Sequence, residues 1–260
     1  MGGSQPARPL KAAIDYFDTG MNEVRGFLTR GSAFALLTVL EVQRRDRIHG
    51  PIAEIGTYLG KSLIGFGLAA QADETVIGVD LFIDGARDFE AELRANWRRF
   101  DLPEDRLRLH RGSSADIDAA AWAALLGAPA RLVHVDGEHT RAAALHDLGL
   151  SASALGAGGV IVVDDVLHPW YPDITLAAGA LLDRDRSLRA FALVDRQGTL
   201  MQGGAKLFIA RAADVDRYDA AFRACVPASI VGRTAFAGSN PLVIDVAPDH
   251  AKALLIIPQA

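Results

Sequence analysis

The sequence predicts an α/β protein: a doubly wound, mostly parallel sheet with helices on both faces, preceded by a helical cap. Three observations predict it. Strand-like apolar runs alternate with helical stretches through the middle of the chain. The runs are apolar throughout, as strands covered on both faces must be. The last two runs are joined by a short glycine-bearing segment, which suits an antiparallel pair.

Residues 10–48 read as helical and precede the first strand. Strand-like runs follow at 51–56 (PIAEIG), 75–81 (TVIGVDL), 106–111, 131–136 (RLVHVD) and 159–164 (GVIVVD). Helical stretches lie between them near 60–71, 87–100, 116–127 and 140–154. Runs at 189–195 (RAFALVD) and 205–210 (AKLFIA), joined by RQGTLMQGG, form the expected antiparallel pair at the end of the sheet. The tail holds one helical stretch and a weaker strand, PLVIDV (241–246). The expected organisation is a cap over 1–48, a core over 49–212 and an extension over 213–260 packed on that core.

Composition narrows the function classes. The chain has 260 residues, half of them hydrophobic, with a formal charge of -5 and both signs mixed. No basic stripe suggests nucleic acid, and no amphipathic Lys/Arg-rich helix suggests a membrane surface. The longest apolar runs, such as AFALLTVL (33–40), fall short of the roughly 18 residues that span a bilayer. No secretory pattern opens the chain, and MGGSQP carries Pro6 where an acylation site needs Ser or Thr. Cys225 is the single cysteine, so no intrachain disulfide forms and a reducing cytoplasm is the expected home.

The turn EIGTYLGKS lies at the carboxyl end of the first strand, where open parallel sheets bind ligands. Gly56 and Gly60 allow a tight turn, and the helix that follows offers free N–H groups. A P-loop needs four residues between its glycine and Gly-Lys-Ser, and only three separate Gly56 from Gly60. A dinucleotide fingerprint needs a middle glycine, but Thr57 and Tyr58 fill that space. The ligand should therefore lack a pyrophosphate. S-adenosylmethionine fits. Glu54 suits its ammonium, the turn and helix start (Gly56, Thr57, Tyr58, Gly60, Ser62) its carboxylate, and Asp80 its ribose hydroxyls. Ser113 and Ser114, after the third strand, suit the adenine edge.

Together AEIGTYLGKS, VIGVDLF, VHVDGEHT and LGAGGVIVVDDV resemble the class I S-adenosylmethionine-dependent methyltransferases. The likeness is nearest to the branch that methylates macrolide and aminocoumarin sugars, and it covers roughly residues 50–211. It implies a Rossmann-like sheet of seven strands with the last antiparallel. It also implies terminal segments of the kind that often mediate dimers.

Asp136 ends the fourth strand, bordering the cofactor, and Asp164 and Asp165 end the fifth. Three carboxylates in one crevice need a cation or a shared proton, and an all-oxygen set favours magnesium. The resemblance implies that these three hold a metal, which in turn binds two neighbouring oxygens of the acceptor. His139, three residues past Asp136, can take the hydroxyl proton, and a related histidine does so in the sugar-methylating relatives. Glu138 competes for that role. His168, Trp170 and Tyr171 either line an acceptor pocket or plug the core. His110 and His134 sit in apolar strands and read as structural, while His146 has no visible partner.

The resulting expectation is a magnesium-dependent O-methyltransferase acting on a small molecule with vicinal oxygens, such as a natural-product sugar. The rivals are a catechol-type enzyme, a nicotinamide-dependent oxidoreductase and a binding module without chemistry.

Overall fold

A computed structural model describes residues 10–85, 87–199 and 203–246. The cap consists of α1 (Lys11–Asp18) and α2 (Arg30–Arg45), joined through a 3₁₀ turn. Helix α2 starts where the Thr29 side chain accepts the Ser32 N–H, and it ends on Arg44 and Arg45, which complement its carbonyl end.

The alternating core follows as β1 (Ile52–Ile55), α3 (Lys61–Ala69) and β2 (Val76–Asp80). A small hairpin, β3 (Ile83–Asp84) and β4 (Arg87–Asp88), leads into α4 (Phe89–Arg99) and β5 (Leu107–Arg111). Next come α5 (Ala119–Leu126), β6 (Ala130–Val135), α6 (Arg141–Ser153), β7 (Leu155–Val166) and α7 (Pro172–Arg184). The chain continues through β8 (Leu188–Val194), β9 (Ala205–Arg211), α8 (Val215–Cys225), β10 (Ile230–Arg233) and β11 (Leu242–Ile244).

The main sheet runs β10-β11-β8-β9-β7-β6-β1-β2-β5. Strands β5, β2, β1, β6 and β7 are parallel, and β9 lies antiparallel between β7 and β8. Seven strands were expected in this sheet, and nine of the described strands form it. The weak run at 241–246 contributes β11, parallel to β8, and β10 pairs antiparallel outside it. The β8–β9 pair therefore lies inside the sheet rather than at its end. Without β11, the outer edge of β8 would present a row of unpaired backbone groups.

Side chains alternate between the two faces, as a strand's two-residue period requires. Ile52, Leu132, Val160 and Val162 pack beneath the cap, α3 and α8. Ala53, Ile55, Val133, Val135, Ile161 and Val163 pack against α5, α6 and α7 on the other face. No helix among the described residues is long and apolar enough to cross a membrane.

The strand order reverses between β1 and β6, which makes their carboxyl ends the crevice of this sheet. Gly56 closes that crevice at its floor. Its φ is +87°, and a Cβ there would stand 1.8 Å from the Asp136 carbonyl oxygen. Only glycine lets the first turn and Asp136 meet.

Candidate active site

A cavity of about 620 Å³ opens over these strand ends. Its first end is built by backbone. One Asp80 oxygen accepts the N–H groups of Thr57 (2.9 Å) and Tyr58 (2.8 Å), and the other accepts that of Phe82 (2.8 Å). Tyr58 (φ +46°) and Phe82 (φ +54°) are both left-handed, a conformation costing about 1–2 kcal/mol in a non-glycine residue. Asp80 offsets that cost and still faces the cavity. Ser113 and Ser114 border it next door, and the Ser113 hydroxyl oxygen accepts the Ala115 N–H. His146 finds a partner after all: its Nε2 lies 2.9 Å from the Ser114 carbonyl and 3.0 Å from that of Ile117, pinning the serine turn.

Two residues expected at the ligand stand behind it. Gly60 starts α3 in a left-handed conformation and backs onto Leu93. Glu54 is fully buried beneath the turn rather than lining the cavity. It accepts from the Ser62 hydroxyl, and His134 Nδ1 lies 2.7 Å from the same oxygen. The strand period explains this, since Glu54 points to the face that α3 covers.

The cap reaches the same cavity. Tyr16 donates to the Lys61 carbonyl (2.7 Å), Lys61 Nζ donates to the Gly26 carbonyl (3.0 Å), and Phe27 and Leu28 line the mouth. Burial lowers the Lys61 pKa.

The second end is built by charged side chains. Asp165 is left-handed (φ +57°), and one of its oxygens accepts the Gly204 N–H. A Cβ on Gly204 would come within 2.5 Å of the Asp165 Cα, so the start of β9 fixes this aspartate by close approach. His139 Nε2 lies 2.9 Å from the other Asp165 oxygen and 3.9 Å from Asp136 Oδ1. One ligand atom each from Asp136, His139 and Asp165 falls within 4.8 Å of the others, a spacing that suits an ion. Nε2 is buried without an aligned hydrogen bond. The His139 ring stacks on Tyr171 (4.0 Å between centroids), which stacks in turn on His168 (4.7 Å). Glu138 is exposed at the cavity wall.

Asp164 departs from the three-carboxylate expectation. It borders the cavity, but Lys206 Nζ forms a buried ion pair with one of its oxygens and the Asp165 N–H donates to the other (2.8 Å). His134 Nε2 lies 3.6 Å away, in ion-pair range but too far for a hydrogen bond. Burial disfavours the charged His134 ring, yet Asp164 and Glu54 carry its pKa up to about 9. Burial likewise opposes the Asp164 carboxylate, and Lys206 and His134 hold it well below the usual range. Asp136 gets too little of that help: burial and then Asp164 push its carboxyl well above the ordinary value, against the weaker opposing pull of His134 and Lys206. An added cation would reverse that shift. The donor set and the raised Asp136 carboxyl both fit a hard divalent ion.

Sequence reasoning missed Lys206. The signal was present in AKLFIA, because a lysine inside a buried strand must find a counter-charge.

Residues 53–166 match the family model described as a methyltransferase domain. No curated protein matches the chain. Among solved structures, CalS11, described as a TDP-rhamnose 3'-O-methyltransferase of calicheamicin biosynthesis, superimposes with a TM-score of 0.56 at 16% identity, covering 79% of this chain and 93% of its own. TomG from Streptomyces achromogenes, an O-methyltransferase of tomaymycin synthesis in complex with SAM, gives 0.56 at 19%, covering 77% and 87%. A Bacillus cereus O-methyltransferase in complex with SAH gives 0.55 at 16%, covering 78% and 90%. At these identities the likeness is one of fold. With the domain match, it makes the chain similar to class I S-adenosylmethionine-dependent methyltransferases, as the sequence motifs indicate.

Proposed function

We propose that the chain transfers a methyl group from S-adenosylmethionine to a hydroxyl of a small molecule with vicinal oxygens, with a divalent ion, magnesium, at the acceptor. Residues 49–212 are the catalytic core, flanked by the segments 1–48 and 213–260. One observation carries the reading: the glycine turn with Asp80, and the Asp136–His139–Asp165 cluster, face each other across a single cavity.

Asp80 holds the ribose diol while keeping the turn in shape, Thr57, Tyr58 and Ser62 border the methionine part, and Ser113 and Ser114 border the adenine. Asp136 and Asp165 hold the ion, and Asp164 stands behind them neutralised by Lys206. When bound, the cofactor supplies a methyl carbon whose bond to sulfur breaks toward sulfur as the acceptor oxygen attacks, and the ion supplies acidity at that oxygen. His139 receives the hydroxyl proton. As a neutral imidazole it does so without adding negative charge to the cluster, which exposed Glu138 would do.

The short distances from His139 to both aspartates favour a second role, as an ion ligand. Magnesium's preference for oxygen ranks that role lower. Titration calorimetry tests the cofactor assignment: S-adenosylhomocysteine binds and NAD does not. Tighter binding of NAD would overturn it in favour of an oxidoreductase.

A further inference from the structure

We propose that the acceptor is an uncharged molecule carrying its vicinal oxygens on an aromatic body, and that the cavity discriminates against nucleoside diphosphate sugars. The inference rests on the methyltransferase reading above and adds the acceptor class to it.

Charge is the first argument. Asp80, Asp136, Glu138, Asp164 and Asp165 all border the cavity, and Lys61 is the one lysine or arginine among the described residues that does. Asp164 is already paired with Lys206. The four remaining negative charges are matched by Lys61, by the two charges of a magnesium ion and by the net single positive charge of S-adenosylmethionine, whose sulfonium and ammonium outnumber its carboxylate. The loaded cavity is then close to neutral. A diphosphate would bring about two more negative charges into a partly desolvated site with no cation to receive them, and charge burial of that kind is costly. Nearby guanidinium groups are engaged elsewhere: Arg30 pairs with Asp18, and Arg111 pairs with Asp88 and Glu90. Arg25 lies over the Tyr58 ring at 5.9 Å, outside the cavity lining.

The mouth supplies the second argument. Phe27, Leu81 and Trp170 are 67%, 57% and 56% exposed, and all three border this cavity. They come from three separate segments: the cap, the stretch after β2 and the stretch after β7. Large apolar groups converging on one opening mark a surface that a ligand covers. A flat ring held there gains area against Trp170 while its oxygens reach the Asp136–Asp165 cluster, beside the stacked rings of His139 and Tyr171.

The test is calorimetry on the full chain loaded with S-adenosylhomocysteine and magnesium, using probes that share a diol. Phenyl rhamnoside or 4-methylcatechol should bind at least about tenfold more tightly than methyl rhamnoside, and thymidine diphosphate rhamnose no more tightly than methyl rhamnoside. Trp170→Ala should reduce the aryl advantage to less than about threefold while S-adenosylhomocysteine affinity is unchanged. Tighter binding of the nucleotide sugar than of methyl rhamnoside, or no aryl advantage in the wild type, would overturn the inference. Failure of S-adenosylhomocysteine to bind would instead overturn the methyltransferase reading on which it rests.

Discussion

The two ends of the cavity are built in opposite ways. At the end proposed for the cofactor, one carboxylate, Asp80, gathers three backbone N–H groups and so fixes the loop conformation. At the end proposed for the acceptor, side-chain charges stack in depth: Glu54, His134, Asp164 and Lys206 form a buried chain behind Asp136 and Asp165. The first end is rigid because backbone bonds are local and numerous. The second is ordered only because opposite charges are matched in a medium that screens them poorly. Damage at the first should weaken binding, and damage at the second should cost chemistry or the fold itself.

The largest expected effect is chelation. Removing divalent ions should abolish methyl transfer while S-adenosylhomocysteine affinity, measured by calorimetry, stays nearly constant. Full turnover in excess chelator would assign the aspartates another purpose. His139→Ala comes next, with a loss of about a hundred- to ten-thousandfold in rate, and Glu138→Gln should lose far less. Manganese affinity separates the two roles of His139: a base leaves it unchanged, whereas a ligand takes it down with the rate.

Lys206→Met removes the counter-charge of a buried carboxylate. It should cost about 3–5 kcal/mol in urea unfolding, and Asp164→Asn in the same chain should restore much of that. An effect under about 1 kcal/mol would mean that Asp164 is not stabilised by this pair.

A pH effect follows from His134. Its folded pKa, about 9, lies above the ordinary 6.5, so its contribution is complete below about pH 6.5 and is lost as pH rises through 9. Wild type should lose stability on the order of 3 kcal/mol across that interval, and His134→Asn should show a flatter profile. Identical slopes would exclude the buried imidazolium. The smallest effect belongs to the backbone end, where Asp80→Ala should weaken S-adenosylhomocysteine binding by about 1–3 kcal/mol. A loss of rate with no loss of affinity there would erase the contrast between the two ends.

What the sequence alone determined follows from local rules. Strands apolar on both faces, helices between them, and Gly, Asp and Ser at the strand ends specify the alternating sheet and place Gly56, Asp80, Ser113, Asp136 and Asp165 along one edge. The missing middle glycine argues against a pyrophosphate from three residues of chain. Tertiary structure decided what depends on pairings distant in sequence. Lys206 meets Asp164 across 42 positions and His134 meets Glu54 across 80, so no spacing rule could foresee which aspartate would be withdrawn from the cluster. In the tail, PLVIDV signalled β11 only weakly, because three residues carry little periodicity, while β10 and the pairing of β11 with β8 were hidden, since that pairing exists only because the edge of β8 was open to it. Local sequence fixes which groups arrive at the crevice. Burial, by raising the cost of every unmatched charge, decides which of them stay free to act.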